Sequence, residues 1–211
     1  MMKLYFAPTL HCHKVCALAG HLGSPVDYVP VDLLAGEHKS PAFLAINPCG
    51  RVPVLSDGEN HLWESNAIML RLAMLAGSDV WPRGASQAEV LRWLSWDGEH
   101  FKPHAGTFYF EHIIKPQIGL GAPDPATLAA ATQPFLASAR ILDSHLSDRH
   151  YLLGDRLTIA DFAVAVTLPY AEQSAMPLDA FPAIRRWHAR LEEIDAWRDP
   201  FAAYPAQAAA Q

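Results

Sequence analysis

The stretch Asn47-Pro48-Cys49-Gly50-Arg51-Val52-Pro53-Val54-Leu55 decides how the first third of this chain is read. Its second half, Arg51–Leu55, is apolar and β-branched enough for a strand, yet it contains Pro53. Proline has no N–H for a ladder hydrogen bond and is confined to edges, strand starts and bulges. Two conformations resolve the conflict. Pro53 is an ordinary trans residue at a strand edge, or the Val52-Pro53 bond is cis at the strand's exposed start. In the cis case the backbone N–H and C=O of Val52 turn outward, free to pair with an extended peptide.

The flanking segments fit around this strand. Upstream, Lys3–Ala7 is a short buried strand ended by Pro8. Lys14–Leu22 carries Val15, Leu18, Ala19 and Leu22 at helical spacing, with Gly23 as a stop. Val26–Val31 is a second strand, and Pro41–Ile46 is a helical turn closed by Asn47-Pro48. Downstream, Asp57-Gly58 is a hairpin signal leading to a strand around His61–Leu62. Glu64–Ala76 is an amphipathic helix with Ile68, Leu72 and Leu75 on one side. The order is βαβαββα over residues 1–78.

Residues 79–86, around Trp81-Pro82-Arg83-Gly84, read as a linker, and 87–211 show no convincing strand. Gln87–Lys102 is helical, and Pro103 is expected to kink it before it resumes towards Lys115. Asp124-Pro125 is a strong helix start, since Asp caps and Pro suits the first turn, and that helix extends to Leu146. Thr158-Ile159-Ala160-Asp161 begins another helix, and Phe181-Pro182 opens a third. The alanine-rich tail after Pro205 is expected to fray.

Composition bounds the function. The chain has 211 residues, 51% hydrophobic and 18% charged, enough for a sizeable core. Sixteen Lys and Arg against 22 Asp and Glu leave a net charge of −6, which argues against a broad basic face for nucleic acid. Three cysteines are too few for a secreted disulfide scaffold. The N-terminal residues lack the apolar run of a signal peptide, and no run reaches membrane-spanning length. A cytoplasmic, soluble protein is expected.

Two further motifs carry chemistry. Trp63-Glu64-Ser65-Asn66 stands at the first turn of a helix, where uncapped N–H groups form an anion site. The Ser65 hydroxyl adds a donor for a carboxylate, and Glu64 offers a partner for an ammonium group. A plain helix cap reads equally from the same residues. Gly154-x-x-x-Thr158-x-x-Asp161 has the form of a capping box.

The element order, the Val52-Pro53 step, Glu64-Ser65, the helical second part and this capping box together resemble the cytosolic glutathione transferases. The resemblance covers essentially the whole chain. It implies a thioredoxin-like α/β domain that binds glutathione, followed by an all-α domain completing an apolar pocket. It also implies a homodimer in which one subunit's first domain faces the other's helical domain, and a detoxifying role. Val52, with Pro53, would pair with the cysteinyl backbone of glutathione, while Glu64 and Ser65 hold its γ-glutamyl end. His38 matches a position that in some classes meets the glycyl carboxylate, and Lys39 and Arg51 are alternative cations for it.

The family's catalytic residue follows the first strand, as Tyr, Ser or Cys by class. Here that region is Ala7-Pro8-Thr9-Leu10-His11-Cys12-His13-Lys14. Thr9 aligns best with the serine of serine-type classes. It also resembles a bacterial group with threonine there and asparagine two residues on, where this chain has His11. Tyr5 alternates into the sheet's packing. Thr9, His11 and Cys12 are therefore the candidates for activating the thiol, Cys12 through a mixed disulfide with glutathione. Thr9 reads equally as the cap of the following helix. His11, Cys12 and His13 are too close in sequence to converge on one zinc, so no metal is expected. Cys16 is expected to be a small buried hydrophobe. The helical region supplies His104 and Phe108 as candidates for an aromatic substrate pocket, with Trp93 and Phe101 assigned to the core.

The function this implies is a glutathione-dependent transferase acting on small electrophiles. The alternatives are a glutathione-dependent disulfide or peroxide reductase, or a non-enzymatic interaction protein of the same fold.

Overall fold

A computed structural model describes residues 2–202. In the first part, strand β1 (Met2–Phe6) leads to helix α1 (Leu10–His21), strand β2 (Val26–Pro30), a short 3-10 turn (Glu37–Lys39) and helix α2 (Pro41–Ile46). Strands β3 (Val54–Asp57) and β4 (Asn60–Trp63) and helix α3 (Ser65–Leu75) follow. The sheet order is β2-β1-β3-β4. β1 runs parallel to β2, whereas β1–β3 and β3–β4 are antiparallel. This is the expected thioredoxin-like βαβαββα order.

Two boundaries differ from the sequence reading for plain reasons. β3 begins at Val54 rather than Arg51, because the ladder starts only after Pro53, which has no N–H to give it. α1 begins at Leu10 rather than Lys14, because Thr9 takes the cap position and accepts from the Cys12 N–H at 3.4 Å. Cys12 through Ala19 form an unbroken buried run along α1. Cys16 is 1% exposed, as a small buried hydrophobe should be. Tyr5 meets Phe43 edge-to-face at 6.1 Å, placing it in the sheet's packing.

The second part holds α4 (Ser86–Trp96), α5 (Lys102–Tyr109), α6 (Lys115–Gln117), α7 (Pro125–His145), α8 (Ile159–Val164), α9 (Pro182–Leu191) and α10 (Asp195–Arg198). The interruption expected at Pro103 begins earlier, as a π turn over Asp97–Phe101, and a second π turn covers Phe110–Ile114. Pro103 then sits in the first turn of α5, where its missing N–H costs nothing. Asp124 caps α7 by accepting from the Ala126 N–H at 3.1 Å. Trp93 (3% exposed) and Phe101 (0%) are core residues as expected. Among the described residues no helix is long and apolar enough to cross a membrane.

The chain divides into two compact units, residues 2–81 with 193–202, and Pro82–Glu192. The helical region assigned to 87–211 is thereby amended at its end. α10 returns to the first unit, where Trp197 is fully buried and meets the His13 ring at 4.8 Å. Gly20 makes that approach feasible: a Cβ there would stand 3.0 Å from the Ala196 Cβ. The tail beyond Pro205, expected to fray, lies outside the described residues.

The second unit is organised around Asp161, which is fully buried. It reaches back to the Thr158 N–H at 2.8 Å, as the capping motif implies, and accepts the Thr158 hydroxyl at 3.0 Å. Its other oxygen accepts the Leu152 N–H at 2.9 Å and the Trp187 indole N–H at 3.1 Å. Burial pushes its carboxyl up to about 6 despite these donors. Asp161→Ala would leave several buried donors without an acceptor, each costing about 1–3 kcal/mol. We expect a loss on the order of 4 kcal/mol and a melting temperature lower by about 10 °C or more. Thermal unfolding checks this; an unchanged midpoint would show that the donors find other partners.

Candidate functional site

The site is built where the first unit brings three chain segments together. The first is the start of α1. Its side chains His11 and Lys14, one turn apart, both reach the start of α3. The His11 Nδ1 lies 3.3 Å from the Ser65 Oγ, and the Lys14 ammonium donates to the Asn66 Oδ1 at 2.6 Å. Lys14 is completely buried and Ser65 is 6% exposed, whereas His11 is exposed, so the Lys14 link is anchored inside the fold and the His11 link lies at the edge of the cleft. Packing places the helices, since a fully buried Val15 or Leu18 contributes about 1.5–3 kcal/mol. The polar links, each net about 1 kcal/mol, set how the two helix starts face one another.

The second segment is the turn Asn47–Arg51. Asn47, 2% exposed, shapes it from within. Its side-chain carbonyl accepts the Cys49 N–H at 3.0 Å and its amide donates to the Arg51 carbonyl at 2.6 Å. The Lys39 ammonium donates to the Gly50 carbonyl at 3.0 Å. Gly50 has φ +56°, and a Cβ there would stand 2.9 Å from both the His38 carbonyl oxygen and the Lys39 Nζ. Only glycine fits this turn against residues 38 and 39.

The turn delivers Val52 and Pro53. The Val52-Pro53 bond is cis, the second of the two conformations the sequence allows. The Val52 side chain packs on the cluster of Val31, Phe43 and Val54. Among the described residues neither the N–H nor the C=O of Val52 has a hydrogen-bond partner.

The third segment is Glu64-Ser65 at the head of α3. Glu64 has φ 73°, a left-handed conformation that non-glycine residues adopt at a cost of about 1–3 kcal/mol. Its side chain does not cap α3, so the helix's first N–H groups are left uncapped by it. These segments enclose a cleft lined by His11, Asn47, Cys49, Arg51, Val52, Pro53, Glu64 and Ser65. It combines an unpaired peptide edge, a helix N-terminus, a buried hydroxyl, a carboxylate and a guanidinium. Such a set suits an extended peptide bearing opposite charges at one end.

Six of the sequence candidates thus meet in one place: His11, Arg51, Val52, Pro53, Glu64 and Ser65. His38 and Lys39 stand behind the turn, against Gly50. Thr9 is half-buried at the cap of α1. Capping uses only an oxygen lone pair, so the Thr9 hydroxyl hydrogen keeps the freedom to donate elsewhere. Sequence reading missed Asn47 and Cys49 as lining residues, although an Asn-Pro step two residues before a glycine is a turn signal that points to them. It missed the Glu64 backbone altogether, because no residue type announces it.

Two candidates fall elsewhere. Cys12, proposed to form a mixed disulfide, is completely buried and accepts the Ala7 N–H at 3.5 Å. Burial pushes its thiol up to about 11, the opposite of the lowered value a helix N-terminus alone suggests. Phe108, proposed as a pocket wall, is a core residue of the second unit, 5% exposed and edge-on to Phe135 at 5.4 Å. His104 is half-buried on α5. Among the described residues no group of three His, Cys, Asp or Glu is placed to hold a metal ion.

A larger cavity of about 570 Å³ opens elsewhere in the first unit, between the start of β1 and the end of α3, lined by Met2, Leu22, Leu72 and Leu75 among others. Asp57 is its one charged lining residue, and it holds none of the candidates.

Comparison with known proteins agrees with this geometry. Residues 1–73 match the N-terminal domain of the glutathione S-transferases, and residues 125–190 match their C-terminal domain. Glutathione S-transferase 3 of Zea mays is 34% identical over 209 residues, covering 97% of this chain and 90% of that protein. Among solved structures, glutathione S-transferase III in its apo form has a TM-score of 0.85 at 33% identity, covering 97% of both chains. Glutathione S-transferase I from mais, in complex with an atrazine glutathione conjugate, has a TM-score of 0.87 at 27% identity, covering 98% of this chain and 99% of that one. With both domains matched in order and the likeness running nearly end to end, the chain belongs to the glutathione S-transferase family.

Proposed function

We propose that the cleft of the first unit binds glutathione and activates its thiol for attack on small electrophiles. The chain is a glutathione-dependent transferase. The observation that carries this reading is the unpaired backbone of Val52 beside the head of α3. Val52 offers one N–H and one C=O to the cysteinyl residue of the substrate. Ser65 and the first amides of α3 take the γ-glutamyl carboxylate, and Glu64 takes the ammonium. Arg51, or Lys39 behind the turn, supplies positive charge for the glycyl carboxylate, and His38 beside Lys39 offers it a ring N–H.

Thr9 is the activating residue in this reading, which places the chain with the serine/threonine-type members that the sequence resembles. A free thiol with a pKa near 8.5 is only about 3% thiolate at pH 7, and the thiolate is the nucleophile. Lowering that value by about two units takes roughly 2.7 kcal/mol of preferential stabilisation of the anion. A hydroxyl donor contributes about 1.5–3 kcal/mol of it and the N-terminus of α1 about 0.3–1 kcal/mol. The cap bond from Cys12 N–H holds the Thr9 oxygen in place, so the donor atom is positioned before the thiol arrives and its hydrogen turns to the sulfur. The thiolate then forms the new S–C bond as the electrophile's leaving group departs or its double bond takes the electron pair. We further propose that the protein works as a homodimer in the cytoplasm, in a detoxifying role.

Three outcomes follow from this reading. Ser65→Ala removes one charge-assisted hydrogen bond of about 1.5–3 kcal/mol, so glutathione affinity falls at least about tenfold with folding intact; normal affinity by calorimetry would place the carboxylate elsewhere. In the glutathione complex, thiolate absorbance followed against pH shifts to higher pH in Thr9→Ala and stays put in Cys12→Ser. Loss of turnover in Cys12→Ser with a silent Thr9→Ala would instead make the protein a cysteine-type thiol transferase. Light scattering at micromolar concentration gives a dimer mass; a monomer mass overturns the assembly.

A further inference from the structure

The contact between His11 and Ser65 has a consequence for ligand binding. The Ser65 hydroxyl has one hydrogen, and among the described residues its one hydrogen-bond partner is the His11 Nδ1 at 3.3 Å. A neutral imidazole carries its proton on one nitrogen only. With the proton on Nε2, Nδ1 is an acceptor and draws the hydroxyl hydrogen to itself. The Ser65 oxygen then shows the cleft lone pairs alone, which suit an ammonium group and repel a carboxylate. With a proton on Nδ1, the ring donates to the Ser65 oxygen and the hydroxyl hydrogen is released to point at a ligand. The same serine is thus an acceptor or a donor according to the state of its neighbour.

We propose that His11 is a positioning residue for glutathione, and that its protonated form switches Ser65 from acceptor to donor so that the γ-glutamyl carboxylate is held. The neutral ring with its proton on Nδ1 gives the same hydrogen-bond pattern without the charge, so it is the carboxylate's preference for the charged ring that links its binding to uptake of a proton by His11. The protonated ring adds its own positive charge to the same cleft. This inference rests on the reading of the cleft as a glutathione site.

The placement of His11 makes it suited to this. It is exposed at the first turn of α1 and lines the cleft with Ser65, so solvent can deliver its proton while Ser65 stays 6% exposed. Charged and titratable groups of the cleft and of α1 near it come from three segments. Glu64 stands at the head of α3, Cys49 and Arg51 on the turn, and Cys12 and Lys14 on α1 itself. Carboxylates titrate near 4 and thiols, lysine and arginine at 8.5 or above, so an imidazole is the group that changes charge between about pH 5.5 and 7.5. His38 is the other imidazole close to this cleft, behind Gly50.

The test uses equilibrium binding of S-methylglutathione, whose capped sulfur removes the thiol titration. In the wild-type protein, affinity falls about tenfold as pH rises from about 5.5 to about 7.5, the response of one proton taken up with the ligand. His11→Asn, whose amide N–H donates to the Ser65 oxygen at every pH, binds with little dependence on pH and as tightly at about pH 7.5 as at about 5.5. A flat wild-type profile, or a slope that survives in His11→Asn, overturns the proposal. No binding of S-methylglutathione at any pH overturns the glutathione reading of the cleft itself, an outcome distinct from either.

Discussion

The first unit depends on how α1 is buried. Eight consecutive residues of that helix, Cys12 to Ala19, lie inside the fold, including a lysine with no exposed surface. A buried ammonium is tolerated only with a good acceptor, and Asn66 at the head of α3 supplies one at 2.6 Å. That requirement, with the His11–Ser65 contact one turn earlier, brings the starts of α1 and α3 together. Both helix N-termini then serve one cleft. The positions of Thr9 and Ser65 follow from this arrangement, because each sits at a helix start that the pairing holds.

The Asn47–Arg51 turn is the complementary constraint. Asn47 spends its side chain on the turn's own backbone, closing it from both sides. Gly50 lets the His38 carbonyl and the Lys39 ammonium come within a distance that any Cβ would forbid. The turn therefore holds Val52 without using the Val52 backbone groups, which is what leaves them unpaired. The left-handed Glu64 belongs to the same economy. A strained residue persists only where its surroundings over-determine it, and here it stands between β4 and α3 on the rim of the cleft.

The second unit solves a different problem. Its helices start at positions that need partners, and several are supplied from far along the chain. Asp143 on α7 accepts the Ala183 and Ile184 N–H groups at 2.7 and 3.0 Å, capping α9 from forty residues upstream. Asp161 joins the α8 cap to the Leu152 amide and the Trp187 indole. Helix caps here double as tertiary links, so helix positions and the core around Phe135, Phe162 and Trp187 are set together.

The order of elements was legible in the sequence because it rests on local signals: alternating apolar runs, Thr9, Asp124 and Thr158 as caps, Asp57-Gly58 as a hairpin. Val52, Pro53, Glu64 and Ser65 were legible as candidates for the same reason, each sitting at a proline step or a helix start, whereas Arg51 was a candidate through the family resemblance; all five line the cleft. What the sequence could not decide is where a side chain goes once the chain is folded. Cys12 and His11 are neighbours with the same local signals, yet one is sealed in the core with its thiol pushed up to about 11 and the other faces Ser65. The return of Trp197 to α1, the left-handed Glu64, the burial of Phe108 and the remote cap from Asp143 are of the same kind. Each depends on contacts between residues distant in sequence, and burial, which sets pKa and access alike, exists only once those contacts form.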